Sequence, residues 1–211
     1  MKIAYVLYDE FTMLDIVGPF NVLDVVPGVE NVWVGETLGL VSDHSRTSGL
    51  PVGVTFDDCL DPDVVIVPGG LGTSKHLDGP VVHWLRDVAP QATWVTSVCT
   101  GSLLLGAAGL LDGLTATSHW AVLDRLTQYG ASASDQRVVL HDEVGIGTAA
   151  GVSSGIDMAL TLAAKLVDED AAKLAQLAIE YDPQPPFDAG ARAKAPSELV
   201  ELLLAVMAPR V

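Results

Sequence analysis

Cys99 occupies a position where a strand and a helix are predicted to meet. The β-branched run 93–98 predicts a buried strand, and the Leu/Ala-rich segment that follows Cys99-Thr100-Gly101-Ser102 predicts a helix. At such a turn the thiol faces outward from the carboxyl edge of a sheet, and the first N–H groups of the helix favour the thiolate. The thiolate is the nucleophile, so Cys99 is a candidate nucleophile. The alternative is a small buried side chain that only packs.

Three further positions could supply groups to the same chemistry. Asp15 interrupts the apolar start of a predicted helix, where a carboxylate is either an N-cap or a functional acid. Gly69 and Gly70 follow a buried strand and form either an ordinary turn or backbone that binds substrate or developing negative charge through N–H groups. His119 is either a general base or a packed histidine beside Trp120.

The other cysteine and the histidines give weaker signals. Cys59 has acidic neighbours that disfavour a thiolate, so a structural role is expected. The five histidines are scattered and show no i, i+4 pairing with acids, so no metal site is predicted. The chain also lacks a G-x-G-x-x-G after its first strand and a phosphate-binding P-loop, and we expect no cofactor.

Strands and helices alternate along the chain. Strands are predicted over 2–8, 32–35, 63–67, 93–98, 138–140 and 145–148, with a small hairpin over 38–56; helices are predicted from 13, over 81–88, after 101, from about 119 to 128, and over 152–164, 168–179 and 197–207. This order predicts a doubly wound, mostly parallel α/β sheet covered by helices on both faces. Ligands bind outside the carboxyl ends of such strands, so Asp15, Gly69 and Cys99 should converge there.

Local signals place particular residues within these helices. Pro19 is expected in the first turns of its helix, and Ser153 and Asp168 are expected to act as N-caps. Gly130 is expected to end the helix that follows His119.

The length and charge of the chain limit its class. A single domain over residues 1–211 is expected. The net charge of −16 makes nucleic acid or an anionic membrane an unlikely partner, and the apolar runs are too short to span a bilayer. Two cysteines without a secretory signal predict reduced thiols and a cytoplasmic location.

Taken together, these motifs resemble the PfpI superfamily of class I glutamine-amidotransferase-like proteins and, within it, the isocyanide hydratases. The matching pieces span nearly the full length: Leu14-Asp15 with Gly18-Pro19, Val67-Pro68-Gly69-Gly70, the run 95–103, the run 106–111, His119-Trp120, Gly155-Ile156-Asp157, and 180–187 with its Pro-Pro-Phe end. The turn at Cys99 alone identifies only the superfamily. The turn with its Leu/Ala continuation and the Pro-Pro-Phe segment is much more specific.

The resemblance implies a flavodoxin-like homodimer in which Cys99 is the nucleophile, Asp15 is the acid/base and Thr100 lies next to the reacting atoms. Many superfamily members carry Glu in place of Asp15. The shorter side chain leaves room for a substrate or a water beside the sulfur, which fits hydration better than redox sensing. Similar proteins have more glycine than Ala149-Ala150-Gly151, a difference that bears on the mobility of the next helix rather than on the chemistry.

For function, the resemblance implies hydration of an isocyanide, R–N≡C, to an N-substituted formamide through a covalent thioimidate on Cys99. Two adjacent anions repel each other, so we expect Asp15 to stay protonated while Cys99 is a thiolate. The same thiolate could instead serve a redox sensor, a stress protein or a deglycase-like hydrolase. The fold also serves as a small-molecule-sensing module without catalysis.

Overall fold

A seven-stranded sheet forms the centre of the protein in a computed structural model that describes residues 1–207. The strands of the chain are β1 (Lys2–Val6), β2 (Glu30–Gly35), β3 (Gly39–Ser42), β4 (Gly49–Val52), β5 (Val54–Thr55), β6 (Val64–Val67), β7 (Trp94–Val98), β8 (Thr115–Ala116), β9 (Ser132–Ala133), β10 (Val138–His141) and β11 (Ile146–Ala149). The central sheet has the order β10-β11-β7-β6-β1-β2-β5 and is parallel except for the β10–β11 pair. Two small pairs, β3–β4 and β8–β9, stand apart from it.

Six α-helices accompany the strands within residues 1–207. They are α1 (Met13–Leu23), α2 (Pro80–Val88), α3 (Gly101–Ala107), α4 (Ser154–Leu166), α5 (Glu169–Ala178) and α6 (Ser197–Met207), with 3₁₀ segments at Thr73–His76 and Leu123–Tyr129. Within residues 1–207, none of the helices combines the length and apolar character that a bilayer crossing requires.

The order of the strands gathers the loops after β1, β6 and β7 at one edge. The chain leaves β1 through α1 toward β2, and leaves β6 through α2 in the opposite direction toward β7. Because parallel crossovers are right-handed, α1 and α2 cover opposite faces. In agreement, α1 packs with α4 and α5, whereas α2 packs with α3. The reversal between β1 and β6 opens a crevice at their carboxyl ends, and the predicted doubly wound α/β fold is confirmed.

Burial explains why the central strands form. All four residues of β6 and all five of β7 are buried, as expected for parallel strands that are covered on both faces and therefore read as continuous apolar or β-branched runs. Leu103, Leu104 and Leu105 of α3 are fully buried against this sheet. The residues that precede and follow Cys99 are therefore anchored in the core.

Several local predictions need correction. The first strand ends at Val6 rather than Tyr8, and Pro19 lies in the middle of α1 rather than in its first turns. A 3₁₀ segment replaces the long helix predicted after His119, although Gly130 ends it in the left-handed conformation as predicted. The Ser153 side chain makes no cap hydrogen bond, whereas Asp168 caps α5 by accepting from the Ala171 N–H. Residues 208–211 of the predicted domain lie outside the described residues.

Helices α1 and α4 approach each other closely where each carries a glycine. A Cβ added at Gly18 would lie 3.1 Å from Cγ1 of Ile156, and one added at Gly155 would lie 2.9 Å from Cγ2 of Val98 and 3.2 Å from Cγ of Pro19. The start of α4 is therefore held against both α1 and the end of β7, with little space for larger side chains.

Candidate active site

The turn between β7 and α3 holds Cys99 in an unusual backbone conformation. Its φ is 58°, and such left-handed geometry costs about 1–3 kcal/mol in a residue other than glycine. The Cys99 N–H donates to the carbonyls of Ala149 (3.0 Å) and Ala150 (2.8 Å). Its own carbonyl accepts from the hydroxyls of Ser102 (3.2 Å) and Ser118 (3.0 Å). Four hydrogen bonds thus hold the cysteine in the tight strand-to-helix turn that the sequence predicts.

Two glycines allow the neighbouring loops to approach this turn. A Cβ added at Gly101 would lie 2.5 Å from the carbonyl oxygen of Val67, and one added at Gly69 would lie 2.4 Å from the Thr100 nitrogen. Atoms that are not bonded to each other do not approach so closely, so a side chain at either position would push β6 away from α3. The close contact brings the loop after β6 against Cys99.

Asp15 lies in the first turn of α1 and is fully buried. Thr12 occupies the N-cap position, and the Asp15 Oδ2 atom instead accepts from the Gly69 N–H at 2.8 Å. The N-cap interpretation of Asp15 is therefore wrong. The Oδ1 atom is buried without a partner of standard hydrogen-bond geometry among the described residues, and the Cys99 side chain lies close enough to act on the carboxyl.

The surroundings of this pair favour uncharged side chains. Burial raises the pKa of Asp15 to about 8, against the opposing effects of the Gly69 N–H and the Cys99 side chain. Burial and the adjacent Asp15 raise the pKa of Cys99, whereas N–H groups of Val152 and Thr100 lower it. Burial thus favours the protonated carboxyl of Asp15 at neutral pH, which is the direction expected from the sequence. The expectation that Cys99 rests as a thiolate does not follow, because the pKa of Cys99 is also raised overall. The Cys99/Asp15 pair must therefore lose one proton before a thiolate forms.

The N–H groups of Gly69 and Gly70 both meet protein acceptors. Gly69 donates to Asp15, and Gly70 donates to Oγ1 of Thr100 at 2.9 Å. In this arrangement the two N–H groups orient the acid and Thr100. Their binding of a substrate or of developing negative charge stays a prediction.

Thr100 belongs to a buried chain of hydroxyl groups. Its Oγ1 lies 2.7 Å from Oγ1 of Thr73, which lies 3.0 Å from the Tyr8 hydroxyl. Tyr8 in turn donates to the carbonyl of Pro68 at 2.8 Å. Sequence analysis did not identify Tyr8 or Thr73. A hydroxyl-bearing tyrosine at the end of an otherwise apolar strand was the available signal for Tyr8, because a buried hydroxyl requires a partner.

Val152 contributes through its backbone. Its φ of 28° is again in the positive range, and its N–H lies close enough to the Cys99 sulfur to lower the pKa of the thiol. Sequence analysis missed this residue because its valine side chain carries no chemistry. The segment between β11 and α4 therefore supplies an amide donor to the candidate nucleophile.

His119 lies beside this segment. Its Nδ1 accepts from the Ala121 N–H at 3.3 Å, and its ring is near Gly151, where an added Cβ would lie 2.8 Å from Cδ2. Burial lowers the pKa of His119, which keeps the ring neutral at pH 7. No hydrogen bond joins His119 to Cys99 within residues 1–207, an arrangement that favours the packed histidine over the general base.

A cavity of about 130 Å³ lies next to Trp120 and the C-terminal segment. Mostly apolar side chains line it, and the Arg192 guanidinium lies 5.7 Å from the centre of the Trp120 ring. The lining suits a small apolar group. Across residues 1–207, no group of three His, Cys, Asp or Glu side chains is placed to hold a metal ion.

The fold and the site together define a flavodoxin-like α/β protein with a buried cysteine–carboxyl pair at the carboxyl edge of its sheet. A sequence model described as the DJ-1/PfpI family matches residues 1–165. The chain is 44% identical to an isonitrile hydratase of Pseudomonas putida, over 95% of this chain and 87% of that protein. The chain belongs to the DJ-1/PfpI family.

Solved structures agree with this membership. A ThiJ/PfpI family protein from Pseudomonas syringae superposes with a TM-score of 0.92 at 36% identity, covering 99% of this chain and 86% of that one. Oxidised DJ-1 of Toxoplasma gondii gives a TM-score of 0.75 at 21% identity, covering 86% and 99%. The second similarity concerns the fold alone.

Proposed function

We propose that this protein is an isocyanide hydratase, a hydro-lyase that converts an isocyanide and water to an N-substituted formamide. The observation that carries the proposal is a fully buried Asp15 beside Cys99 at the crevice of the sheet, where burial raises the pKa of the carboxyl to about 8. An isocyanide carbon is electrophilic and has no leaving group, so it needs a nucleophile and a proton at the same atom. A cysteine and a carboxylic acid in contact supply both. The 44% identical isonitrile hydratase supports the same reaction.

The first half of the proposed reaction forms a covalent adduct. The pair starts with one proton, held by Asp15, and with Cys99 as the thiolate. The sulfur attacks the terminal carbon of R–N≡C, and Asp15 transfers its proton to that carbon. The product is a thioimidate, R–N=CH–S–Cys99, and Asp15 is left ionised.

The second half releases the formamide. Asp15 takes a proton from water as the water oxygen bonds to the thioimidate carbon, and this proton passes to the nitrogen. The S–C bond then breaks, the hydroxyl proton returns to Asp15, and R–NH–CHO departs. Cys99 is again a thiolate and Asp15 is again protonated, so the cycle closes without an external reductant, oxidant or cofactor.

Neighbouring groups have supporting roles in this proposal. The N–H groups of Val152 and Thr100 stabilise the thiolate when it forms. Gly69 orients the carboxyl by donating to one oxygen, which leaves the other oxygen to carry the mobile proton. Gly70 orients Thr100, which lies adjacent to the reacting atoms.

We also propose a homodimeric, cytoplasmic protein in which the whole chain acts as one domain. Helix α6 has no buried residue and exposes Leu199, Leu202, Leu203 and Val206. An apolar helix face of this kind is more stable when it is covered. The two cysteines are both free, as in a reducing compartment. The substrate is a small molecule; no nucleic acid or membrane partner is proposed for a chain with a net charge of −16.

The alternative of a redox sensor has less support. Sensor cysteines have low pKa values and are accessible to oxidants, whereas Cys99 is 5% exposed and burial raises its pKa. Peroxide treatment followed by mass spectrometry separates the two functions. Selective conversion of Cys99 to the sulfinate in a protein without isocyanide turnover would favour the sensor.

The direct test is turnover of a simple substrate. Purified protein is incubated with cyclohexyl isocyanide or p-nitrophenyl isocyanide, and the formamide is measured by chromatography. We expect formamide from the wild-type protein and none from a Cys99→Ala variant of the same fold. Formation of formamide at equal rates in both proteins would contradict the proposal.

A further inference from the structure

The loop that presents Val152 to Cys99 is attached at both ends to one arginine. This loop joins β11 to α4. At its start, the Ala150 N–H donates to the carbonyl of Arg137 at 2.9 Å. At its end, Nη2 of Arg137 donates to Oγ of Ser153 at 3.2 Å. Arg137 therefore contacts the residues on both sides of the strained Val152–Gly151 turn.

The same arginine is held in place by an ion pair with α4. Its Nε donates to Oδ2 of Asp157 at 2.5 Å, and the Tyr181 hydroxyl donates to the other oxygen of Asp157 at 3.2 Å. Asp157 lies one helical turn after Ser153, so the guanidinium spans the first turn of α4. We call Arg137, Ser153, Asp157 and Tyr181 the α4 clasp.

The clasp lies at the surface, which argues against a mainly stabilising role. The side chains of Arg137 and Asp157 are 51% and 33% exposed. Ion pairs of this exposure contribute little to stability, because solvent screens them. The clasp nevertheless fixes a loop whose Val152 has a φ of 28°, a conformation that the chain leaves unless neighbouring contacts hold it.

We infer that Arg137 is a positioning residue that, through the α4 clasp, holds the Val152 N–H against the sulfur of Cys99. The inference rests on the proposed role of Cys99 as the nucleophile. The start of this loop lies at the cysteine, because the Cys99 N–H is shared between the carbonyls of Ala149, the last residue of β11, and Ala150, the first residue of the loop. Without the clasp, the loop relaxes and the thiolate loses a hydrogen-bond donor.

Helix α4 supplies a matched control at its other end. Lys165 pairs with Asp142 at 2.7 Å, with side-chain exposures of 33% and 64%. Asp142 follows β10 and Arg137 precedes it, so both ion pairs join α4 to the same hairpin. Only the Arg137 pair lies beside Val152. Loss of the Lys165 pair therefore reports the general effect of removing an exposed ion pair from this helix.

The test measures the reactivity of Cys99 toward iodoacetamide as a function of pH in Arg137→Ala, Lys165→Ala and the wild-type protein. The other titratable groups that act on Cys99 are Asp15 and Tyr8, and both stay unchanged. In Arg137→Ala we expect the midpoint of alkylation to move up by about one pH unit, the amount that corresponds to a tenfold loss of thiolate. Lys165→Ala should follow the wild-type curve.

Further variants distinguish positioning from folding. Arg137→Lys keeps a positive charge near Asp157, so its alkylation midpoint should lie between those of Arg137→Ala and the wild-type protein. Ser153→Ala removes the hydrogen bond from Arg137 Nη2, and Asp157→Asn removes the negative charge that pairs with Arg137. These two variants replace Arg137→Ala in the test if that variant does not fold. In isocyanide turnover, the clasp variants should lower kcat by about tenfold with little change in KM, because the loss concerns a group that acts on the thiolate.

The outcomes separate this inference from the proposed function. Identical alkylation curves for folded Arg137→Ala and Lys165→Ala would overturn the inference, even if the wild-type protein hydrates isocyanides. A shifted curve in a protein that turns over no isocyanide would keep the inference about the thiol and reject the proposed reaction. Alkylation reports the sulfur directly and does not depend on the substrate.

Discussion

The two cysteines of this chain are equally buried and differ in almost everything else. Cys59 is 2% exposed and Cys99 is 5% exposed. Cys59 follows β5 in a short turn, where its carbonyl accepts from Nε1 of Trp84 at 2.7 Å. Burial raises the pKa of Cys59, the Asp61 and Glu30 carboxylates add to this effect against Lys2, and its backbone is not in the positive-φ region. It is a packed side chain, as the sequence predicts.

Cys99 shows what a candidate nucleophile has in addition to burial. Its backbone is strained, an acid from another element faces it, and amide donors of Val152 and Thr100 lower its pKa against the effect of burial. Burial alone therefore does not distinguish the two thiols. The difference lies in the polar groups that three separate loops bring to one sulfur.

The largest expected effect comes from removing each thiol in turn. Cys99→Ala should abolish formamide formation, because no other group in the site can form the thioimidate. Cys59→Ala is the matched control and should keep kcat within about twofold while lowering stability by about 1–2 kcal/mol, as for a shortened core side chain. Turnover assays and chemical denaturation measure the two effects. A trapped mass adduct on Cys59 would reverse the assignment.

The next largest effect concerns Asp15, the buried acid with a raised pKa beside Cys99. Asp15→Asn keeps an oxygen that can accept from the Gly69 N–H but has no acidic proton to transfer. We expect turnover to fall by about 10²–10⁴-fold, the range for loss of general acid–base catalysis. Circular dichroism checks the fold of the variant. Wild-type turnover in folded Asp15→Asn would remove the carboxyl from the mechanism.

The pH dependence sharpens the comparison further. The Cys99/Asp15 pair must lose one proton before it reacts, and Asp15 has a pKa raised to about 8. We therefore expect kcat/KM to rise about tenfold per pH unit up to an apparent pKa near 8, which belongs to the pair rather than to one residue. Steady-state assays from pH 5 to 9 test this. A rate that stays constant across that range would indicate a thiolate already present at pH 5.

The smallest expected effect is that of His119. Its Nδ1 accepts from a backbone N–H and its ring packs near Gly151, so His119→Gln should change kcat by less than about fivefold. The assay is the same formamide measurement, with thermal unfolding as the check on folding. Complete loss of turnover in the folded variant would place the histidine among the catalytic groups.

The sequence predicts those parts of the site that follow from local patterns. A buried β-branched run followed by Cys99 and an apolar helix predicts the turn, and parallel topology predicts that the loops carrying Asp15, Gly69 and Cys99 meet. Other features depend on contacts between distant segments. Val152 acts through its backbone, and the N–H groups of Gly69 and Gly70 bond to side chains whose positions only the fold defines.

The protonation of the pair is the clearest case of a property that the sequence does not determine. Helix-terminal N–H groups at Cys99 correctly predict an effect that lowers its pKa. Desolvation opposes this effect and is larger, because both side chains lie almost entirely out of water. The balance depends on the depth of burial, which a local motif does not contain.

The contact between α1 and α4 has a consequence for how such a site can change. Asp15 lies in α1 three residues before Gly18, and Val152 lies in the loop three residues before Gly155 of α4. The acid and the amide near the sulfur are therefore attached to two helices that contact each other at these glycines. A methyl group added at Gly18 would lie 3.1 Å from Cγ1 of Ile156, so the Ile156 side chain or the spacing of the two helices would have to shift slightly. The distance between the Asp15 carboxyl and the Cys99 sulfur is thus expected to depend on a contact between two helices outside the cysteine–carboxyl pair.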